Sequence, residues 1–179
     1  MERLEQQYHK KIVPALKEKF GFKNVMQAPK ILKIVVNAGV GKFKDDKKKV
    51  DQAAEDIKKI TGQAPIKTKA RKSIAGFKVR ENQIVGIVCN LRGFRMYSFL
   101  DKLINVALPR VRDFQGLAAS GFDGRGNYHL GLKENLVFPE ISSESLENVF
   151  GLEVSIVTNA GKDEMAKELL KQMKFPFKK

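Results

Sequence analysis

Leu4, Tyr8, Ile12, Leu16 and Phe20 put an apolar or aromatic side chain at every fourth position, the spacing of one buried stripe along an α-helix. Pro14 lies inside this run and predicts a kink or break, because it has no N–H to donate. Gly21 predicts the stop. After Pro29 the period shortens to two. In ILKIVVN (31–37), Leu32, Ile34 and Val36 share one face while Lys33, Val35 and Asn37 share the other, the pattern of a half-buried strand. Asp45 and Asp46 predict the cap of a helix that presents Val50, Ala54 and Ile57, with Ala53 beside them, and ends at Gly62. A short strand follows from Pro65 to Thr68. A second strand runs from about Ile84 to Arg92, with Val85, Ile87, Cys89 and Leu91 facing one way and Ile84, Gly86, Val88, Asn90 and Arg92 the other. Met96, Phe99, Leu100, Leu103 and Val106 predict a helix closed by Pro109. Residues 110–126, rich in Gly and Arg, read as a long loop, which in a compact domain is usually functional. Strands at 127–132 and 152–158 and a helix at 162–173 complete the chain. The expected fold is α+β: one domain over 1–179, a mostly antiparallel sheet with helices packed on one face, and a long basic loop at about 70–82.

Charge changes this picture. Thirty-four Lys and Arg against twenty Asp and Glu leave +14, a field that attracts polyanions, so nucleic acid is the first partner to consider. A merely soluble basic surface and an anionic membrane are the alternatives, and no basic amphipathic helix with an aromatic face favours the membrane. No apolar run approaches the roughly 20 residues of a span, and MERLEQQYHK contains no signal-peptide core. Cys89 is alone, which excludes an internal disulfide and reads as a small buried hydrophobe. The expected location is the cytoplasm. The charge is densest in IKTKARKSIAGFKVR (66–80), where Lys67, Lys69, Arg71, Lys72, Lys78 and Arg80 occur without an acid. This stretch is too charged to bury, yet Ile74 and Phe77 make it too apolar for a plain linker. Its cations are expected to project from the domain, with Gly76 bending the tip; a disordered, solvated loop is the alternative.

Little in the chain points to catalysis. NAGVGKF (37–43) links a strand to a helix as a nucleotide loop would. It lacks a third glycine at Lys44, however, and has Phe43 where a phosphate loop needs Ser or Thr. His9 and His129 have no Cys or Asp at ligand spacing. The acids of FPE (138–140), Glu144 and Glu147 form no pair of fixed separation, and no activated nucleophile can be assembled. No enzyme activity, cofactor or metal is expected. What remains is the strand face carrying Lys33, Asn37, Asn90 and Arg92, whose donors could meet phosphates, 2′-hydroxyls and base edges; a solvated outer face is the plainer reading.

LRGFRMYSFLDKL (91–103), LPRVRDFQGL (108–117) and FDGRGNYHLGLKE (122–134) closely resemble the bacterial fifth protein of the large ribosomal subunit, the family that binds 5S ribosomal RNA. The likeness extends through VMQAPKILKIVVNAGVG (25–41), ITGQAPIKTKARKSIAGFKVRE (60–81), LVFPEI (136–141) and the terminal FPFKK, so it covers essentially the whole chain. The resemblance implies a structural, non-catalytic large-subunit protein of the cytoplasmic ribosome whose sheet grips 5S rRNA. Lys33, Asn37, Gln63, Asn90 and Arg92 are the implied rRNA-binding positions. The basic loop, through Arg71, Lys72, Ser73, Lys78 and Arg80, would reach tRNA in the peptidyl site. Further implied partners are 23S rRNA, neighbouring large-subunit proteins and a small-subunit head protein. Asn90 stands where similar members carry Thr in a VTLRG string, and it keeps both a donor and an acceptor. SSES (142–145) replaces expected acidic and aromatic residues, a departure that bears on the subunit-head contact. Two rival classes are a nucleotide-dependent enzyme acting at the NAGVGK turn and a general nucleic-acid module that would bind duplex DNA as well as 5S RNA.

Overall fold

The computed structural model describes residues 3–141 and 149–178. Its strands are β1 (Ile31–Gly39), β2 (Ile66–Lys69), β3 (Ile84–Leu91), β4 (Tyr128–Leu132) and β5 (Leu152–Thr158). They form an antiparallel sheet in the order β2-β3-β1-β5-β4, and with the helices they make an α+β fold. The chain divides into two compact units, Met1–Ile34 with Arg92–Leu130 and Ser155–Lys179, and Val35–Leu91 with Gly131–Val154.

In the first unit, α1 (Arg3–Gln7) and α2 (Val13–Phe20) are joined by a wider turn at Tyr8–Ile12, in which the Val13 N–H donates to the Tyr8 carbonyl five residues back. The α-helix is interrupted, as Pro14 predicts, but in the turn before the proline, which sits in the first turn of α2. The wide turn ends just before it, so helical structure resumes past a residue that cannot donate. The turn also explains the four-residue spacing. An ideal helix would rotate such a series by about 40° per step, and the extra residue takes up that drift, so Leu4, Tyr8, Ile12 and Leu16 are all buried. The same device recurs after α4 (Gly93–Lys102): the Leu108 N–H bonds the Leu103 carbonyl just before Pro109. The shifted register buries Ile104 and Ala107 and leaves Val106 37% exposed, against the expectation that Val106 faces the core. Burial, aided by Tyr97, pushes the Tyr8 phenol up to about 12, and its hydroxyl donates to the Pro29 carbonyl at 3.1 Å. The last helix is α5 (Asp163–Gln172).

In the second unit, α3 (Lys47–Thr61) starts where Asp46 accepts the Lys48 and Lys49 N–H groups at 3.0 and 3.3 Å. It stops at Gly62, whose φ of +67° is the left-handed conformation that glycine adopts without strain. Val50, Ala53, Ile57 and Ile60 form its buried stripe and it packs on β3; the expected Ala54 is only half-buried because Ala53 takes the inward position. Ile87, Cys89 and Leu91 are the buried face of β3. β1 runs through both units: Ile34, Val36 and Ala38 are buried, whereas Leu32, expected on that face, is 44% exposed.

Candidate nucleic-acid interface

The alternation that buries Ile87, Cys89 and Leu91 turns Val88 and Asn90 the other way. In the second unit β2 pairs with β3 antiparallel, Ile66 opposite Val88 and Thr68 opposite Gly86. Ile66, Thr68, Gly86, Val88 and Asn90 therefore share one face, exposed at Ile66 and Asn90. A Cβ built on Gly86 would fall 2.7 Å from the Thr68 hydroxyl oxygen and 3.8 Å from Asn37 Oδ1. The missing side chain thus lets a hydroxyl and an amide converge on one spot of the strand surface. On the opposite face, Lys67 forms an ion pair with Asp51 of α3, a lysine placement that also keeps the β2 edge from pairing with another chain.

Gln63 is placed by the end of α3. The Thr61 hydroxyl lies 2.7 Å from the Ile57 carbonyl and accepts the Gln63 N–H at 3.3 Å and the Cys89 thiol at 3.6 Å. Gln63 Nε2 in turn donates to the Asn90 carbonyl at 3.0 Å. Gln63 and Asn90 are therefore held side by side before any partner arrives. Cys89 is buried and used in this brace. Of the other sequence-derived positions, Asn37 is half-buried in β1 of this unit. Lys33 and Arg92 belong to the first unit: Lys33 is half-buried in β1, and Arg92 is exposed immediately before α4. Sequence reasoning does not single out Thr68 and Ile66, because only the pairing with β3 shows which way they face.

The basic stretch is an ordered hairpin. Ile74 pairs with Val79 across a one-turn helix at Ala75–Phe77, and Lys78 (φ +50°) and Asn82 (φ +64°) make the sharp reversals. At its root, the Ala70 N–H donates to the Gln83 carbonyl at 2.8 Å and the Asn82 N–H to the Ala70 carbonyl at 3.0 Å. Midway, Ser73 Oγ accepts the Glu81 N–H at 2.9 Å. Arg71, Lys72, Ser73, Lys78 and Arg80 are placed along it; Ile74 (50%) and Phe77 (74%) are exposed beside them.

The glycine turn after β1 is a structural turn: the Val40 N–H donates to Val85, and the Phe43 and Asp46 N–H groups close successive turns at 2.9 Å. In the first unit, the Gly- and Arg-rich loop before β4 is tied both to itself and to the start of α5. Asp123 accepts the Arg125 N–H at 2.8 Å, the Asn127 N–H at 3.0 Å and the Asn127 side-chain amide at 2.7 Å. These bonds, the Asn127 side chain first, hold its carboxyl down at about 2. Asp163 accepts the Gly126 and Gly124 N–H groups at 2.8 and 3.1 Å. His129 Nδ1 lies 2.9 Å from Ser155 Oγ. Among the described residues no cluster of His, Cys, Asp or Glu could hold a metal ion, and no helix is long and apolar enough to cross a membrane. Glu144, Glu147 and the SSES string lie outside the described residues.

Two family models match the chain: "Ribosomal protein L5" over residues 24–80, and the model for the C-terminus of the same ribosomal family over residues 84–177. It is similar to the "Large ribosomal subunit protein uL5" of several bacteria. It is 52% identical to that of Clostridium perfringens over 177 residues, 99% of each chain. It is 55% identical to that of Clostridium kluyveri over 175 residues, 98% of this chain and 97% of the relative. Against Thermoanaerobacter sp. the identity is 51% over 179 residues, the whole of both chains. With two family models in sequence and relatives matched end to end, the chain belongs to the ribosomal protein L5 family, and it is a structural protein of the large ribosomal subunit, at work in translation in the cytoplasm.

Proposed function

We propose that this protein binds 5S rRNA through Lys33, Asn37, Gln63, Asn90 and Arg92, and meets the backbone of peptidyl-site tRNA through Arg71, Lys72, Ser73, Lys78 and Arg80. In this reading it helps to form the central protuberance, touches 23S rRNA and neighbouring large-subunit proteins, and bridges to a protein of the small-subunit head. The observation that carries the 5S assignment is the brace between Gln63 and the Asn90 carbonyl at 3.0 Å. The bond fixes the Gln63 amide beside the end of β3, where it meets a base edge or ribose without the ordering cost that a mobile side chain incurs. Asn37 and Thr68, brought together over Gly86, add donors and acceptors of the kind that read a 2′-hydroxyl. For tRNA, the support is an ordered hairpin that carries Arg71, Lys72, Lys78 and Arg80 with no acid until Glu81, which suits phosphates spaced along a backbone.

The test is Arg92→Ala, measured for 5S RNA binding and for thermal melting. If the guanidinium makes a bidentate contact, affinity falls by about 1–3 kcal/mol and the melting curve stays in place, since Arg92 is exposed. Unchanged affinity with unchanged melting refutes the sheet-face assignment. Equal binding of duplex DNA at matched salt would favour a general nucleic-acid module instead.

A further inference from the structure

The hairpin keeps its shape with little apolar packing to hold it: Ile74 and Phe77 are 50% and 74% exposed. An open cleft of about 700 Å³, lined by Asp45, Ser73, Ala75, Lys78, Val79, Arg80 and Gln83, lies beneath it. Two adjacent residues that follow the glycine turn bond to the hairpin. Lys44 Nζ donates to the Phe77 carbonyl at 2.7 Å and also to the Lys78 carbonyl. Asp45 Oδ1 accepts from Gln83 Nε2 at 3.0 Å, and Gln83 Oε1 accepts the Arg80 N–H at 3.1 Å. One residue therefore grips the tip and the next grips the root. The turn they follow is itself fastened to β3 through Val40 and Val85. An ammonium has three donors and no acceptor, so two convergent carbonyls match it well. Lys78 can hold φ +50°, unusual for a residue with a side chain, because its carbonyl and its neighbour's are bonded there.

We propose that Lys44 is a positioning residue for the basic hairpin: it fixes the tip backbone so that the Lys78 and Arg80 side chains are presented to an RNA backbone already ordered. The turn that resembles a phosphate loop then serves as a strut, the lysine that follows it directed at peptide carbonyls. The inference rests on the reading that the hairpin binds tRNA. Fixing a loop in its bound shape strengthens binding by reducing the ordering cost, without adding a contact.

The experiment uses the full chain with Lys44→Gln, Lys44→Arg and Lys42→Gln, the last an exposed lysine in the glycine turn itself. Amide hydrogen exchange is read at the tip and deacylated tRNA binding is read across a salt series. Lys44→Gln is expected to speed exchange at Lys78 and Val79 and to weaken tRNA binding by roughly three- to tenfold at an unchanged salt slope. Lys44→Arg restores both, and Lys42→Gln leaves tip exchange as it was. Unchanged tip exchange in Lys44→Gln overturns the proposal. So does a salt slope lowered by about 0.9, which marks Lys44 as a phosphate contact. If Arg71, Lys72, Lys78 and Arg80 together prove dispensable for tRNA, the hairpin reading fails, while tip exchange still decides whether Lys44 holds the loop.

Discussion

The loop before β4 and the basic hairpin at 70–82 are braced in opposite senses. In the loop before β4, carboxylates hold peptide N–H groups, one from the loop itself and one from the first residue of α5. Asp123 and Asp163 accept four backbone N–H groups between Gly124 and Asn127, and the Thr158 hydroxyl donates to the Gly126 carbonyl at 2.6 Å. In the hairpin at 70–82 the tip backbone is held through its carbonyls, by the ammonium of Lys44, and Arg71, Lys72 and Lys78 are left in solvent. Composition alone makes both loops look functional. The difference lies in what the charges are used for: a carboxylate bonded to several peptide N–H groups is structural, whereas exposed cations on a braced hairpin remain available to a partner.

Three changes would break or sharpen that contrast. The largest effect is expected from Asp163→Ala, which strips acceptors from the Gly124 and Gly126 N–H groups. Gly126 is buried, so its orphaned donor costs about 1–3 kcal/mol of stability in a melting experiment, with the tRNA salt slope unmoved. A changed slope would make this loop part of the RNA surface. Ser73→Ala removes the acceptor for Glu81 within the hairpin. Because this bond is exposed, the expected loss is about 0.5–1 kcal/mol, seen as faster exchange at the Glu81 amide, with 5S RNA binding unaltered. The smallest effect is acidic. The Asp123 carboxyl sits at about 2 when folded, below the ordinary value near 3.9 for an unfolded chain. Its contribution is therefore fully present above about pH 3.9 and is lost as the pH falls through about 2. Protection of the Arg125 and Asn127 amides should decline through that window, and Asp123→Asn should remove the pH dependence. Equal decline at the hairpin amides would show that both loops rely on titrating bonds.

Periodicity carries the fold further than it carries the site. The two-residue pattern of β1 and β3, the Asp46 cap and the Gly62 stop are legible because each is a local property. The wide turns before Pro14 and Pro109 are not, since proline forbids one hydrogen bond without saying what replaces it, and the replacement moves Val106 outward. Leu32 obeys the alternation of its strand yet is exposed, because covering a face is a tertiary matter. Among the proposed RNA positions, the placement of Asn90 follows from strand parity. Gln63 enters through family likeness, and its bond to Asn90 joins residues 27 apart in sequence. Lys44 joins carbonyls 33 and 34 residues away; no local pattern marks such a bond.

The division of labour between the sheet face and the hairpin is tested most directly by the variant carrying Arg71→Gln, Lys72→Gln, Lys78→Gln and Arg80→Gln, titrated with 5S RNA and with tRNA over the same salt series. Affinity for 5S RNA should stay within about 1 kcal/mol of the parent, while the tRNA salt slope falls by about 0.9 for each phosphate that is no longer neutralised. Equal weakening for the two RNAs would place the hairpin in the 5S site and contradict the account.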